Sequence, residues 1–124
     1  MNIYYPSQNR KVCGGFEWFN DNGQEQTAIG TVTGTPVVEV PVAPDNYIIE
    51  VYGNVGFLLD RLTFVTMNAQ NQRKTEGFTC GGIFGTSVDA TPPGRCQMVN
   101  IAGTTKDVDG SQLIATMEFT WFCY

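Results

Sequence analysis

Short runs of β-branched and aromatic residues recur along the chain about every ten residues, separated by glycine, proline, asparagine and aspartate. Such runs, bounded by turn residues, are typical of antiparallel β proteins. No helix is needed to account for the pattern. The predicted strands are Asn2–Tyr5, Glu17–Phe19, Ala28–Val32, Val37–Val42, Ile48–Tyr52, Leu58–Thr66, Ser87–Val88, Gln97–Ile101 and Leu113–Tyr124.

Two of these runs indicate which faces of their strands are buried. Within residues 114–121, alanine, methionine, phenylalanine and tryptophan lie on one face, and two threonines and a glutamate lie on the other. This period of two predicts a strand with one face on the core. In Leu58–Thr66 both faces are partly apolar, so both sides of that strand are expected to meet protein or ligand. Residues 59–66 also align with residues 113–120, which suggests an internal repeat of similar sheets.

The composition supports the same interpretation. The chain has 124 residues, with 12 valines and 14 threonines against 4 leucines and 6 alanines. β-Branched residues favour strands, whereas the straight-chain residues that favour helices are scarce here. A chain of this length builds one modest core. We therefore expect a single all-β domain over residues 1–124.

Several classes of function are excluded at the same stage. Histidine is absent, which removes imidazole catalysis and histidine metal ligands. The cysteines form no C-x-x-C pair, so we expect no metal and no cofactor. With 7 basic and 12 acidic residues the net charge is −5, which disfavours nucleic acid as a partner. No apolar run reaches the roughly 18 residues of a membrane-spanning helix, so membrane insertion is not expected.

The four cysteines are Cys13, Cys80, Cys96 and Cys123. In a small, threonine- and glycine-rich β chain they are more typical of two disulfides than of four free thiols, which favours a secreted or extracellular protein. Residues 1–3 do not begin a signal peptide, so we expect any secretion signal to have been removed before residue 1. Four cysteines allow three pairings, and the residues alone do not choose among them.

Two neighbouring segments are the most distinctive part of the sequence. They are residues 50–66, EVYGNVGFLLDRLTFVT, and residues 76–86, EGFTCGGIFGT. Together they resemble the repeat unit of the jacalin-related lectins: a strand E-V-x-G, a loop G-x-x-x-D, a strand L-D-x-L-x-F-x-T and a glycine-rich turn, here without its usual proline. Residues 13–23, CGGFEWFNDNG, are similar to the opening stretch of that family. The resemblance covers residues 12–122 and is densest over 47–86.

The resemblance implies a fold and a disulfide pattern. The fold is a β-prism I, in which three Greek-key-like antiparallel sheets surround a pseudo-threefold axis. The first motif is expected to be abbreviated, because the stretch between Gly23 and Val37 is short. The opening and closing strands are neighbours in that family, which favours the pairs Cys13–Cys123 and Cys80–Cys96.

The resemblance also implies a sugar-binding site in the G-x-x-x-D loop and the glycine-rich turn. A sugar hydroxyl both donates and accepts hydrogen bonds, so the Asp60 carboxylate is expected to accept and the glycine amides to donate. An aromatic ring, from Phe57 or Phe78, would cover the C–H face of the sugar. The other interpretation of Asp60 is an exposed aspartate paired with Arg61 or Lys74. The candidate carbohydrate-binding residues are Gly56, Phe57, Leu58, Asp60, Phe78, Gly81 and Gly82.

The pseudo-equivalent loop near the C-terminus lacks this chemistry. It carries Ile114 where the family has its sugar-binding aspartate, so we expect the site that the family forms there to be lost and Gly14–Gly15 to be structural. An apolar side chain offers no acceptor to a hydroxyl pair.

The leading hypothesis is a non-enzymatic carbohydrate-binding lectin module for a mannose-type or other neutral sugar. Its partners would be glycans or glycoproteins, with avidity from a homodimer or from further domains of a longer parent chain. The first alternative is a structural or adhesive protein-interaction domain on the same scaffold, without a sugar site. The second is a glycosidase that uses two carboxylates among Glu50, Asp60 and Glu76.

Overall fold

A computed structural model describes residues 1–5, 12–42 and 44–124, and within these ranges the chain is all-β with no helix. The all-β prediction is therefore confirmed. The strands are β1 (Asn2–Tyr4), β2 (Gly15–Phe19), β3 (Glu25–Gly30), β4 (Val38–Glu39), β5 (Asn46–Val55), β6 (Leu59–Asn68), β7 (Lys74–Gly81), β8 (Thr86–Asp89), β9 (Cys96–Val108) and β10 (Ser111–Cys123).

The strands form three antiparallel sheets. The first sheet has the order β3-β2-β1-β4 and the second has the order β7-β6-β5-β8, while β9 and β10 pair as a long two-stranded ribbon. In each four-stranded sheet, three consecutive strands are followed by a fourth that returns beside the first, which is the Greek-key order. Among the described residues the first sheet has four strands, of which β1 and β4 have three and two residues, and the ribbon has two strands.

One core cluster contains side chains from all three sheets. Three phenylalanines, one from each sheet, connect the sheets: Phe16 on β2 and Phe64 on β6 are fully buried, and Phe119 on β10 is partly buried and packs against the cluster. The ring centroids of Phe16 and Phe64 are 6.0 Å apart, and those of Phe64 and Phe119 are 6.2 Å apart, both edge to face. This geometry is favourable for aromatic rings beyond the area they bury. The two four-stranded sheets and the ribbon are thus held on a common centre.

The ribbon strand β10 confirms the predicted alternation. Met117, Phe119 and Trp121 pack against the core, while Thr116, Glu118 and Thr120 are exposed. The ring of Phe119 contacts that of Phe64 in the second sheet.

Strand β7 is absent from the sequence prediction. Its first four residues, 74–77, are exposed and include Gly77, so the segment has neither the alternation nor the β-branched content that marks a strand. The strand forms because its second half pairs with β6, where Cys80 lies opposite Leu62 and Phe78 opposite Phe64.

Two disulfides form, but the expected pairing is wrong: the bridges are Cys13–Cys80 and Cys96–Cys123, not Cys13–Cys123 and Cys80–Cys96. The reason is the order of the strands. Cys96 lies directly opposite Cys123 in the ribbon. Cys13 precedes β2, and its amide donates to the Leu59 carbonyl at 3.2 Å, which brings it to the end of β7.

The disulfide pattern gives the first prediction. Peptide mapping under non-reducing conditions should recover the pairs 13–80 and 96–123. The first bridge spans 67 residues of sequence, so the variant with Cys13→Ala and Cys80→Ala should lose about 4 kcal/mol of unfolding free energy on the chain-entropy estimate. Urea denaturation measures the loss. Recovery of a 13–123 peptide from the native protein would contradict the strand order.

Candidate functional site

Two glycine-bearing loops lie side by side at one end of the second sheet. The first loop joins β5 to β6, and the second joins β7 to β8. Val55 pairs with Thr86, and Arg61 pairs with Gly81, so the ends of four strands converge there. The Gly82 amide donates to the Asp60 carbonyl at 2.9 Å and ties the second loop to the start of β6.

The Asp60 carboxylate rests on two glycines, one from each loop. A methyl group at Gly56 would lie 2.7 Å from its Oδ2 atom, and one at Gly85 would lie 2.5 Å from the same atom. Gly85 also has a φ of +93°, which L side chains rarely adopt. Both positions therefore require glycine for the carboxylate to occupy this place.

The Asp60 carboxylate has no protein partner in the part of the chain that is described. It is half-buried, and it makes neither a hydrogen bond nor an ion pair with residues 1–5, 12–42 or 44–124. The alternative pairing with Arg61 or Lys74 is not formed. A half-buried carboxylate with open acceptor positions is suited to bind donors from outside the protein.

The two loops also carry three large apolar side chains that are exposed to solvent. Phe57 is 71% exposed, and Ile83 and Phe84 are 77% and 69% exposed. Lys106, from the ribbon, holds the first loop: its Nζ atom donates to the Phe57 carbonyl at 3.3 Å and lies 4.2 Å from the Phe57 ring centroid. This cation–π contact covers one face of the Phe57 ring. We call residues 56–60 and 82–85 together the loop site.

Gly56, Phe57 and Asp60 lie together in the first loop, whereas the other candidate residues lie elsewhere or have other partners. Leu58 is buried in a small cluster with Val12 and Leu113 and anchors its loop. Phe78 packs against the core, opposite Phe64.

Gly81 and Gly82 support the site through the backbone. A methyl group at Gly81 would lie 1.9 Å from the Asp60 carbonyl oxygen, so this glycine permits the close approach of β6 and β7. The Gly82 amide is already bonded to that carbonyl. The expectation that this amide donates to a ligand is therefore wrong, because its hydrogen is used within the fold.

Sequence reasoning missed Ile83, Phe84, Gly85 and Lys106. The signal for the first three was present, because two large apolar residues stand between glycines in a predicted turn, where polar residues are usual. Lys106 left no signal, since it reaches the loop from another sheet.

The loop of the ribbon that resembles a second site does not offer a carboxylate at the expected position. Ile114 is buried in the core. A methyl group at Gly15 would lie 2.0 Å from the Thr31 carbonyl oxygen, and one at Gly30 would lie 2.4 Å from that of Gly14. These glycines allow neighbouring backbones to approach each other, which is the structural role expected for Gly14–Gly15.

A pair of carboxyl groups occupies a separate place on the first sheet. Glu17 accepts hydrogen bonds from the Tyr4 hydroxyl and from Asn2 Nδ2 and is hydrogen-bonded to Glu25. Burial raises the pKa of Glu17, but these hydrogen bonds outweigh it and hold the pKa below its ordinary value. The bond to Glu17 raises the pKa of Glu25 and that of Tyr4.

The Glu50 and Asp60 carboxylates, considered from the sequence as a catalytic pair, do not have the spacing of a glycosidase. Carboxyl pairs of glycosidases stand about 5 to 9.5 Å apart. Glu50 pairs with Val65, five residues along β6 from Asp60. At the rise of a strand this separates Glu50 and Asp60 by about 17 Å.

No group of three metal-ligating side chains that could hold an ion is found among the described residues. The same portion of the chain contains no helix long and apolar enough to cross a membrane. Comparison with protein-family models, with curated proteins and with solved structures finds no significant match for this chain.

The close contact at Gly81 gives the second prediction. Gly77 and Gly81 both lie on β7 with positive φ, +99° and +87°, but a methyl group at Gly77 meets nothing within 4 Å. Gly77→Ala should lose about 1 kcal/mol of unfolding free energy from backbone strain alone. Gly81→Ala should lose at least twice as much because of the added clash. Equal losses in urea denaturation would show that β6 and β7 are not so closely packed.

The carboxyl pair gives the third prediction. Because the folded state raises the pKa of Glu25 above 4.5, its ionised form destabilises the fold above the raised pKa, and the penalty vanishes below the ordinary value. Glu25→Gln should therefore raise the melting temperature at pH 7 and leave it unchanged near pH 3. Glu118→Gln, an exposed change of equal charge on β10, is the control. A gain that persists at pH 3 would contradict this origin.

Proposed function

We propose that this protein is a non-enzymatic carbohydrate-binding module that holds a neutral saccharide at the loop site. The observation that carries the proposal is the Asp60 carboxylate: half-buried, seated on Gly56 and Gly85, and without a partner among the described residues. Exposed phenylalanines stand next to both glycines in the chain. A carboxylate acceptor near exposed aromatic rings provides the hydrogen bonds and the apolar contact that a sugar ring requires.

The chemistry of the site follows from its parts. Two adjacent sugar hydroxyls donate to the two oxygens of Asp60, in charge-assisted hydrogen bonds that are stronger than neutral ones. The glycines leave room for the ring to approach the backbone. Phe57 and Phe84 offer apolar faces for the C–H side of the sugar. A neutral ligand fits better than an acidic one, since the binding group is an anion and the chain carries a net charge of −5.

The scaffold supports the same proposal. Two Greek-key sheets and a ribbon share one core, and each contributes one phenylalanine to the chain of ring contacts that joins them. We take this arrangement as a jacalin-like β-prism in which the third sheet is reduced to two strands. The resemblance of residues 50–66 and 76–86 to the lectin repeat falls on the strands and loops that build the loop site.

The disulfides are compatible with an extracellular protein. The described cysteines are all bridged, as is usual in an oxidising compartment. We propose secretion, with glycans or glycoproteins as the partners. A single site of this size binds weakly, so useful avidity would come from a homodimer or from further domains of a longer parent chain.

One observation favours the second candidate, a protein-interaction domain without a sugar site. Phe57, Ile83 and Phe84 place three large exposed apolar side chains on two adjacent loops, and such patches also occur at protein–protein interfaces. The two functions differ in their dependence on Asp60, because an apolar interface does not need the carboxylate.

A glycan array provides the fourth prediction. Wild type should bind neutral glycans, and Asp60→Asn should weaken the binding at least about tenfold, since it removes charged hydrogen bonds to the sugar. The matched control is Asp21→Asn, which makes the same charge change in the β2–β3 turn and should bind like wild type. Wild-type binding by Asp60→Asn would remove Asp60 from the mechanism. No array signal, together with capture of a protein partner that depends on Phe84, would decide for the second candidate.

A further inference from the structure

A groove of about 600 Å³ lies on the second sheet beside the loop site. Its walls include residues of β5, β6 and β8, and Ile83 of the second loop belongs to both the groove and the loop site. The volume is within the range of small-molecule pockets, about 300 to 1,000 Å³. The side chains that could contact a ligand there are those of Tyr52, Asn54, Arg61, Ser87 and Asp89.

The polar side chains of the groove share the outer face of the sheet. Asn54 pairs with Ser87 on one side and with Arg61 on the other. Two residues along β5, Tyr52 pairs in the same way with Asp89. Directly opposite residues and residues two apart lie on one face of a sheet. The core residues Val51 and Leu62 alternate with them and occupy the inner face.

Hydrogen bonds orient part of this surface in advance. Ser87 Oγ donates to Asn54 Oδ1 at 3.4 Å, and Asn54 Nδ2 donates to the Ile83 carbonyl at 3.5 Å. One carboxylate oxygen of Asp89 accepts from the Thr91 amide at 2.9 Å, and the other accepts no hydrogen bond from a described residue. The Arg61 guanidinium makes no hydrogen bond with any described residue. A ligand in the groove therefore meets Asn54 and Asp89 side chains that hydrogen bonds already orient. It also meets an Arg61 guanidinium whose donors no described residue uses.

The chemistry of these groups selects a neutral polyhydroxyl ligand. Arg61 and Asn54 donate, Asp89 accepts, and Ser87 does both. The charges of Arg61 and Asp89 cancel, so an anionic ligand gains nothing overall. Tyr52, 40% exposed, adds an aromatic surface on which a sugar ring can stack. A peptide added as a strand would instead use the backbone of the edge strand β8, not side chains on the face.

We propose that the groove is a second saccharide subsite, in which Tyr52 and Arg61 bind the units of a glycan that follow the one held by Asp60. The inference rests on the proposed function and extends it: the ligand is an oligosaccharide, not a single sugar. Asn54 of the groove donates to the carbonyl of Ile83 in the second loop, and Ile83 also lines the groove, so the two subsites adjoin and one glycan chain reaches both. Longer glycans then bind more tightly than a single sugar, because their further units occupy the groove.

Calorimetric titration with mannose, mannobiose and mannotriose tests the subsite. Wild type should bind mannotriose about tenfold more tightly than mannose. Tyr52→Ala should lower the mannotriose affinity to that of mannose and leave the mannose affinity unchanged, while Tyr52→Phe should retain the wild-type difference. Arg61→Gln should also reduce the gain with length, and it serves as the test if Tyr52→Ala does not fold.

A matched control and three outcomes separate the two proposals. Tyr47→Ala removes a tyrosine from the other end of β5, where it pairs with Met67, and should bind like wild type. Mannose binding that depends on Asp60, without a gain for mannotriose, overturns the groove and keeps the loop site. A length gain that survives both Tyr52→Ala and Arg61→Gln also overturns it. Absence of binding to all three sugars overturns the proposed function for this sugar class and the groove with it.

Discussion

The contact among Phe16, Phe64 and Phe119 is the constraint on which the remainder of the structure depends. Each ring comes from a different sheet, and the rings meet edge to face in the core. A chain of this size has too little apolar surface for separate cores, so its sheets are stable only if they share one. The loop site follows from this sharing, because Lys106 of the ribbon reaches the Phe57 carbonyl only when the ribbon packs against the second sheet.

Three glycines allow the packed strands to place Asp60 in the loop site. Gly81 lets β7 approach the Asp60 carbonyl, and Gly56 and Gly85 leave the space that the Asp60 carboxylate fills. The same backbone contacts that hold the strands therefore position the Asp60 carboxylate, which has no partner among the described residues. The Cys13–Cys80 bridge ends next to Gly81 and limits its movement. Such preorganisation lowers the ordering cost of capturing a ligand.

The sequence predicts what depends on local periodicity and misses what depends on the order of sheets. The exposed and buried faces of β10 follow from alternation, because a strand has a period of two whatever its neighbours. The bridge between Cys13 and Cys80 requires knowing that residue 13 lies beside Leu59, which no local pattern encodes. The role of the Gly82 amide could not be predicted for a similar reason. Whether this amide can donate to a ligand depends on the register of β6 and β7, and here it donates to the Asp60 carbonyl.

Whether the loop site binds a saccharide or an apolar protein surface more favourably depends on the free-energy cost of removing water from the Asp60 carboxylate. An apolar partner seated on Phe57, Ile83 and Phe84 would remove water from the carboxylate without replacing its hydrogen bonds, and an unpaired buried charge costs several kcal/mol, on the order of the gain from the apolar contact itself. A protein partner would have to bring a cation or donor to this one point. A sugar brings hydroxyl donors on the same ring whose C–H face covers an aromatic side chain, so the polar and apolar requirements of the loop site are met by one small ligand.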